Sequence, residues 1–415
     1  MSEMSEMSEM SAVGLAGTAA APAALPLAGL TVVSLEQAVA APYATRQLAD
    51  LGARVIKIER PDGGDFARGY DDTVHGESSY FVWLNRSKES LSLDLKSLEG
   101  RRILRELLDE ADVFVQNLGP GATARMGLAA ADLARTHPRL IVCDISGYGL
   151  DGPWRDRKAY DLLVQAEAGL LSVTGSEEEV AKAGISVADI AAGSFAYSGI
   201  LAALYTRTTT GRAPAVSVSL FEALVEWMGS PAYYTRYGGS SPRRTGARHA
   251  TIAPYGPFAA SDGESVLLAV QNQREWLRLC AEVLEVADLA GEARFARNPD
   301  RVAHREELEA IIAARTAEFT ADELEKRLEA AGIAHARMNT MDELWAHPVL
   351  AGRKRWREVD TPGGEVDALL PPATLSGVEP RMAAVPSAGA HSETILAALG
   401  RTPAEIAELR EAGVI

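Results

Sequence analysis

Asp189 stands in "ISVADIAAGSFAYSGILAALYTRTTTGR", a lone carboxylate at the head of small apolar residues that read as a buried helix. Two roles for it are open. Asp is among the best helix N-caps, its oxygen accepting backbone N–H bonds of the first turn. The positive end of the helix dipole would also favour its ionised form. An ionised carboxylate kept from water is a nucleophile able to carry a covalent acyl intermediate. Gly193 and the neighbouring alanines would leave backbone open to a ligand. A second acid, Asp161 in "KAYDLLVQAEAGL", is a general base or a simple cap. Tyr160 beside it is a hydrogen-bond donor or a core residue.

Basic residues recur next to the expected strands: Arg60 after "VIKIE", Lys96 after "SLDL", Arg125 after "QNLGPGAT" and Lys158 before "AYD". Singly, each reads as ordinary solvated charge. Gathered at one end of one sheet they would suit phosphate groups, which ammonium and guanidinium groups bind well. In "RRTGARH", Arg243, Arg244, Arg248 and His249 either hold a second carboxylate of a substrate or solvate a linker. "GYGLDG" matches G-x-G-x-x-G, but Pro153 and "WRDRK" follow it. No helix N-terminus is offered there to a pyrophosphate, so the motif reads as a turn.

Strands and helices alternate to position these groups. "TVVSL" predicts a strand, and a helix opened by Pro42 and closed by Gly52 follows. "RVIKIER", "LSLDL", "VFVQN", "LIVCDIS" and "AVSVSL" predict further strands. Between them "SLEGRRILRELLDEA" is amphipathic, with Ile103, Leu104, Leu107 and Leu108 on one face. Such alternation points to an α/β fold, a parallel sheet with helices on both faces. Ligands of such sheets gather outside the carboxyl ends of the strands. We expect this large domain to span 29–225. A linker and smaller α+β domain over 226–335 would hold "SVLLAV" and helices near Arg274–Val283, Arg305–Arg315 and Ala321–Ala331. The segment 336–415 would return to the large domain. Residues 1–28, with the repeated "MSE" triplet and then Ala, Gly and Pro, read as a disordered tail.

Composition narrows the function classes. A chain of 415 residues is too long for one small core. Its 47% apolar and 24% charged residues balance as in soluble globular proteins. No apolar run reaches the roughly 18 residues a membrane span needs. Net charge −16 disfavours nucleic acid, though not a small polyanion, because fields decay over about 8 Å and local cations decide. Cys143 and Cys280 lie far apart and the seven histidines are scattered, so no metal or disulfide framework is expected. The start lacks a secretory pattern, and a cytoplasmic location is the expectation.

Five stretches occur in order: "SLEQAVAAPYATRQLADLGARVIKIERPDGGDFAR", "YFVWLNRSKESLSLDLK", "ADVFVQNLGPGATARMG", "AYDLLVQAEAGLLSVTG" and "VADIAAGSFAYSGILAALYTRTTTGR". Together they resemble the family III CoA-transferases, the group that contains formyl-CoA and carnitine CoA-transferases. The likeness runs from Leu27 to Ile415. It implies a nucleophilic aspartate at Asp189. It implies coenzyme A contacts at Val39, Ala40, Arg60, Leu93, Lys96, Asn117, Leu118, Ala122, Arg125 and Lys158. It implies a Rossmann-like large domain, a small domain and a homodimer of interlocked rings. Acyl-CoA would be the co-substrate, with no metal or redox cofactor. Overall the chain looks most like members that move CoA from succinyl-CoA to itaconate, mesaconate or malate, through aspartyl-anhydride and aspartyl-CoA intermediates. Tyr43, Arg46, Arg248 and His249 are then candidates to hold the distal carboxylate. The same superfamily holds α-methylacyl-CoA racemases, which use a histidine where this chain has Tyr160; tyrosine cannot shuttle a proton near neutral pH as histidine can. A non-catalytic CoA-binding protein is the third class.

Overall fold

The protein is described by a computed structural model over residues 24–415. Of the expected tail, residues 1–23 lie outside the described residues. The remainder of it belongs to the fold: Leu27 is buried and donates its N–H to the Leu51 carbonyl at 3.0 Å.

Six strands form one parallel sheet: β1 (Thr31–Leu35), β2 (Arg54–Glu59), β3 (Glu89–Ser92), β4 (Val113–Gln116), β5 (Ile141–Ser146) and β6 (Val216–Ser219). Their order is β3-β2-β1-β4-β5-β6. In register, Val32 of β1 sits beside Val55 of β2 and Val113 of β4. Strand residues alternate between faces, and two cores follow. Val32, Val55, Val113 and Ile141 pack on one side with helices Ala40–Asp50 and Val187–Thr210. Val33, Ile56, Phe114 and Val142 pack on the other with helix Leu98–Asp109 and the terminal helices Ser392–Ala398 and Pro403–Glu411. The strand order reverses direction between β1 and β4, which opens a crevice beyond their carboxyl ends.

Three details depart from the sequence expectation. The first helix starts at Ala40, two residues before Pro42; first-turn amides have no intrahelical partner, so a proline there costs no bond. β3 begins at Glu89 and ends at Ser92, earlier than "LSLDL", because Asp94 turns away to pair its N–H with the Val414 carbonyl at 2.8 Å. The long helix runs 24 residues, and an 18-residue window in it has mean hydropathy 1.5. By length and composition it could cross a membrane, contrary to the expectation from apolar runs. Here Ala188, Ala191, Ala192, Ala196, Ile200 and Ala203 instead bury one face of it in the core of the large domain.

The second unit has an antiparallel sheet, β7 (Tyr255–Ala259), β8 (Ser265–Ala269) and β9 (Ala334–Arg337), in that order. Trp276, Phe295, Leu308, Ile312, Leu324 and Leu328 fill its core. A hairpin follows, β10 (Trp356–Thr361) and β11 (Gly364–Leu369). It returns to the first unit, where Val359 packs with Ala67, Phe81 and Val385.

Candidate active site

A cavity of about 980 Å³ lies beyond the carboxyl ends of β1, β4 and β5. Its walls are the loops that leave those strands, Gln37–Ala40 after β1, Asn117–Gly121 after β4 and Ser146–Gly149 after β5, together with the start of the long helix.

Buried charge shapes the first loop. The Lys57 ammonium, wholly buried, reaches Asp65 Oδ2 at 2.6 Å and Glu36 Oε1 at 3.3 Å. Lys88 Nζ reaches the same Glu36 oxygen at 2.7 Å. Burial pushes the Glu36 carboxyl up, but Lys88 and Lys57 outweigh it and hold the group down at about 2. Asp65 Oδ1 then accepts the Ala38 N–H at 2.9 Å. That bond holds Ala38 at φ 60, a left-handed conformation that alanine rarely takes. Asn117 completes the frame, accepting from Gln37 N and donating to Gln37 O, both at 2.8 Å. In consequence Val39 and Ala40, at the N-terminus of the first helix, are delivered to the cavity wall.

Asp189 lies in the first turn of the long helix, half-buried, and lines the same cavity. Ser186, not Asp189, is the N-cap, and its hydroxyl caps nothing. Burial first, then the nearby charge of Asp161, push the Asp189 carboxyl up to about 7. The expectation that the helix dipole would favour its ionised form is thus reversed: desolvation and a like charge prevail. Gly193 also differs in its role. A Cβ there would stand 2.5 Å from the Ala40 carbonyl oxygen, so this glycine lets the two helices approach closely rather than exposing backbone to a ligand.

Asp161 begins its own helix, Asp161–Glu167, and reaches across to the next. Its Oδ1 accepts the N–H of Ala188 at 2.7 Å and of Asp189 at 3.3 Å. Its Oδ2 accepts from Gln165 Nε2 at 2.5 Å. Tyr160 is exposed and faces the cavity, so it is no core residue.

Of the ten residues expected to contact coenzyme A, Val39, Ala40, Asn117, Leu118 and Lys158 line the cavity with Asp189. Ala122 lies between the lining residues Gly121 and Thr123. Arg125 donates to the Pro120 carbonyl at 3.3 Å at the cavity edge. Arg60 lies 4.7 Å over the ring of Phe66, itself a lining residue, while bonding the Gly64 carbonyl. Leu93 is buried in the core of the opposite sheet face and Lys96 is exposed; neither lines the cavity.

The residues suggested for a distal carboxylate are elsewhere. Arg46 is buried, with Nη1 2.9 Å from Asp50 Oδ2, and Arg86 shares that carboxylate. Tyr43 packs against Gly193 and, edge-on, Trp83. Arg248 pairs with Glu309 at 2.7 Å and His249 stacks on Tyr255, both in the second unit. Arg244 donates to the carbonyls of Ser176 and Glu177, both at 2.7 Å, and Arg243 lies 3.7 Å from Glu177. These contacts bind the linker to the chain. Sequence reasoning missed Gln37, Tyr70, Tyr80 and Lys182, all on the cavity wall. Only Gln37 and Tyr80 lie within the quoted stretches; Tyr70 and Lys182 arrive through irregular loops. Among the described residues, no group of three or more His, Cys, Asp or Glu could hold a metal ion.

A half-buried carboxylate with raised basicity on a cavity wall can attack an electrophilic acyl carbon. Comparison with known proteins shows the family. The model of CoA-transferase family III matches residues 27–392. A succinate–glutarate CoA-transferase of Agrobacterium fabrum is 33% identical over 384 residues, covering 90% of this chain and 96% of the relative. A succinyl-CoA:mesaconate CoA-transferase of Haloarcula marismortui is 34% identical over 348 residues, covering 81% and 86%. A solved CAIB/BAIF family protein of Brucella suis superposes with TM-score 0.79 at 32% identity, covering 91% of this chain and all of that one.

Proposed function

The chain belongs to CoA-transferase family III, and from that premise we propose that it moves CoA from an acyl-CoA donor such as succinyl-CoA to a short dicarboxylic acid, with Asp189 as nucleophile. The observation that carries this is the Asp189 carboxylate, half-buried on the wall of the cavity at the strand-order reversal.

In this reaction an Asp189 carboxylate oxygen attacks the thioester carbonyl carbon. The C–S bond breaks with its pair on sulfur, giving an aspartyl–acyl anhydride and CoA thiolate. The thiolate attacks the Asp189 carbonyl carbon and expels the donor carboxylate, leaving an aspartyl-CoA thioester. The acceptor carboxylate attacks that thioester, sulfur leaves, and a new anhydride forms. Thiolate attack on the acceptor's acyl carbon then frees Asp189. Protons and electrons balance without an added reagent, and each step keeps an activated acyl group. The first-helix amides at Val39 and Ala40 supply donors for the oxyanions, each such donor being worth roughly 3 kcal/mol in a comparable site.

Dicarboxylate use is supported by the relatives' substrates and by the cavity's cations. Arg155 and Arg157 already face Asp156 and Glu167, whereas Lys158 and Lys182 have no carboxylate partner among the described residues. Lys158 is suited to phosphate and Lys182 to the far carboxylate. We also infer a homodimer, since Tyr205, Trp227, Tyr233 and Tyr237 stand exposed along the long helix and the two helices after it. The test offers succinyl-CoA with a panel of isotopically labelled mono- and dicarboxylates and reads new thioesters by mass spectrometry. Label should enter thioesters of short dicarboxylates in the wild type and not in Asp189→Ala. Deuterium exchange at the α-carbon without an acceptor acid would instead indicate racemase chemistry.

A further inference from the structure

We propose that Asp161 is a positioning residue for the nucleophile: its carboxylate clamps the first turn of the Asp189 helix and holds a second negative charge beside Asp189. This rests on the role proposed for Asp189.

The geometry is unusual for a cap. Ser186 already occupies the N-cap position, yet its hydroxyl makes no capping bond. The two first-turn amides, Ala188 and Asp189, donate instead to a carboxylate from another helix. Behind it, buried Gln165 donates to Asp161 Oδ2 and accepts the Ala183 N–H at 2.9 Å. One Asp–Gln pair therefore ties down both ends of the 183–189 turn. A neutral cap would satisfy the same amides at similar stability. A carboxylate placed beside a half-buried carboxylate costs repulsion, and function is the reason to retain it. Raised basicity makes Asp189 a stronger nucleophile. Acylation then removes the Asp189 charge, so the repulsion present in the free enzyme vanishes in both covalent intermediates. That is differential stabilisation along the reaction path.

Other charges face this end of the helix. Tyr70 comes from the loop after β2, and its phenol is pushed up by burial, Asp65 and Asp189. Tyr160, Lys158 and the Arg155–Asp156–Arg157 run come from the loop after β5, and Lys182 from the loop before Ser186. The first helix presents only Val39 and Ala40 to the cavity.

Two variants separate clamp from charge. Asp161→Asn keeps an acceptor for the amides and loses the charge. Asp161→Glu keeps the charge and displaces the clamp by one methylene. Steady-state exchange is measured from pH 5.5 to 9 with melting temperatures alongside. For Asp161→Asn we expect the acid limb of kcat/KM to move down by about half a pH unit or more, with KM for acyl-CoA at the pH plateau within about twofold. For Asp161→Glu we expect kcat to fall roughly tenfold with the limb in place. An unmoved limb in Asp161→Asn, or wild-type kcat in both variants, overturns the proposal. Should Asp161→Asn not fold, Asp161→Glu decides by its kcat and limb alone. If wild type shows no exchange, or Asp189→Ala retains it, the role of Asp189 fails instead.

Discussion

Asp189 combines two properties that compete. Its position in the first turn of a helix favours an anion, while burial and Asp161 lift its carboxyl to about 7. The sign of the linkage follows. Between an ordinary Asp value near 4 and the raised native one, the native state binds more protons than the unfolded chain, so stability drops as pH rises through that window. Asp189→Asn removes the penalty. Its stabilisation over wild type should grow by roughly 1 to 2 kcal/mol from pH 5.5 to 8, read by urea denaturation at the two values. The same variant and Asp189→Ala should lose CoA exchange by a factor on the order of 10³ or more. In the wild type, kcat/KM should decline below about pH 7 as Asp189 protonates.

Helix and strand placement made this residue useful. Gly193 brings the Asp189 helix onto the Ala40 carbonyl, and Ala40 is where the first helix meets the cavity. Gly193→Ala should part the helices, costing about 1 to 3 kcal/mol in urea denaturation and lowering kcat more than it raises KM. Lys57→Met should cost about 3 to 5 kcal/mol, because Asp65 loses a buried cation and Glu36 keeps only Lys88. At this scale the sequence was legible where strands are continuous apolar runs: β1, β2, β4 and β5 were found because both faces of the sheet are covered. β10 and β11 were not, since "WREVDT" and "GEVDAL" are largely exposed and carry little pattern. Asp189 was found by its setting, but the Asp161 clamp joins residues 27 and 28 positions away and no local pattern records it. Arg46 pairs with Asp50 one turn on in its own helix, a spacing present in the sequence, whereas Arg86 reaches the Asp50 carboxylate only through the fold.

Over the whole molecule, charge and site have opposite needs. Net charge −16 repels a polyanionic thioester, so binding depends on the cations placed around the cavity mouth. Lys158→Ala should raise KM for acyl-CoA about tenfold with kcat nearly unchanged, and wild-type KM should rise with salt. The exposed aromatics on the long helix and the two helices after it should be covered by a second copy, giving light-scattering mass twice the 44.1 kDa chain. The most direct measurement is chemical. Enzyme incubated with succinyl-CoA is treated with borohydride, digested and read by mass spectrometry. Reduction of the aspartyl thioester should convert residue 189 to homoserine, and only during turnover; a reduced residue elsewhere, or none while exchange proceeds, would contradict covalent catalysis by Asp189.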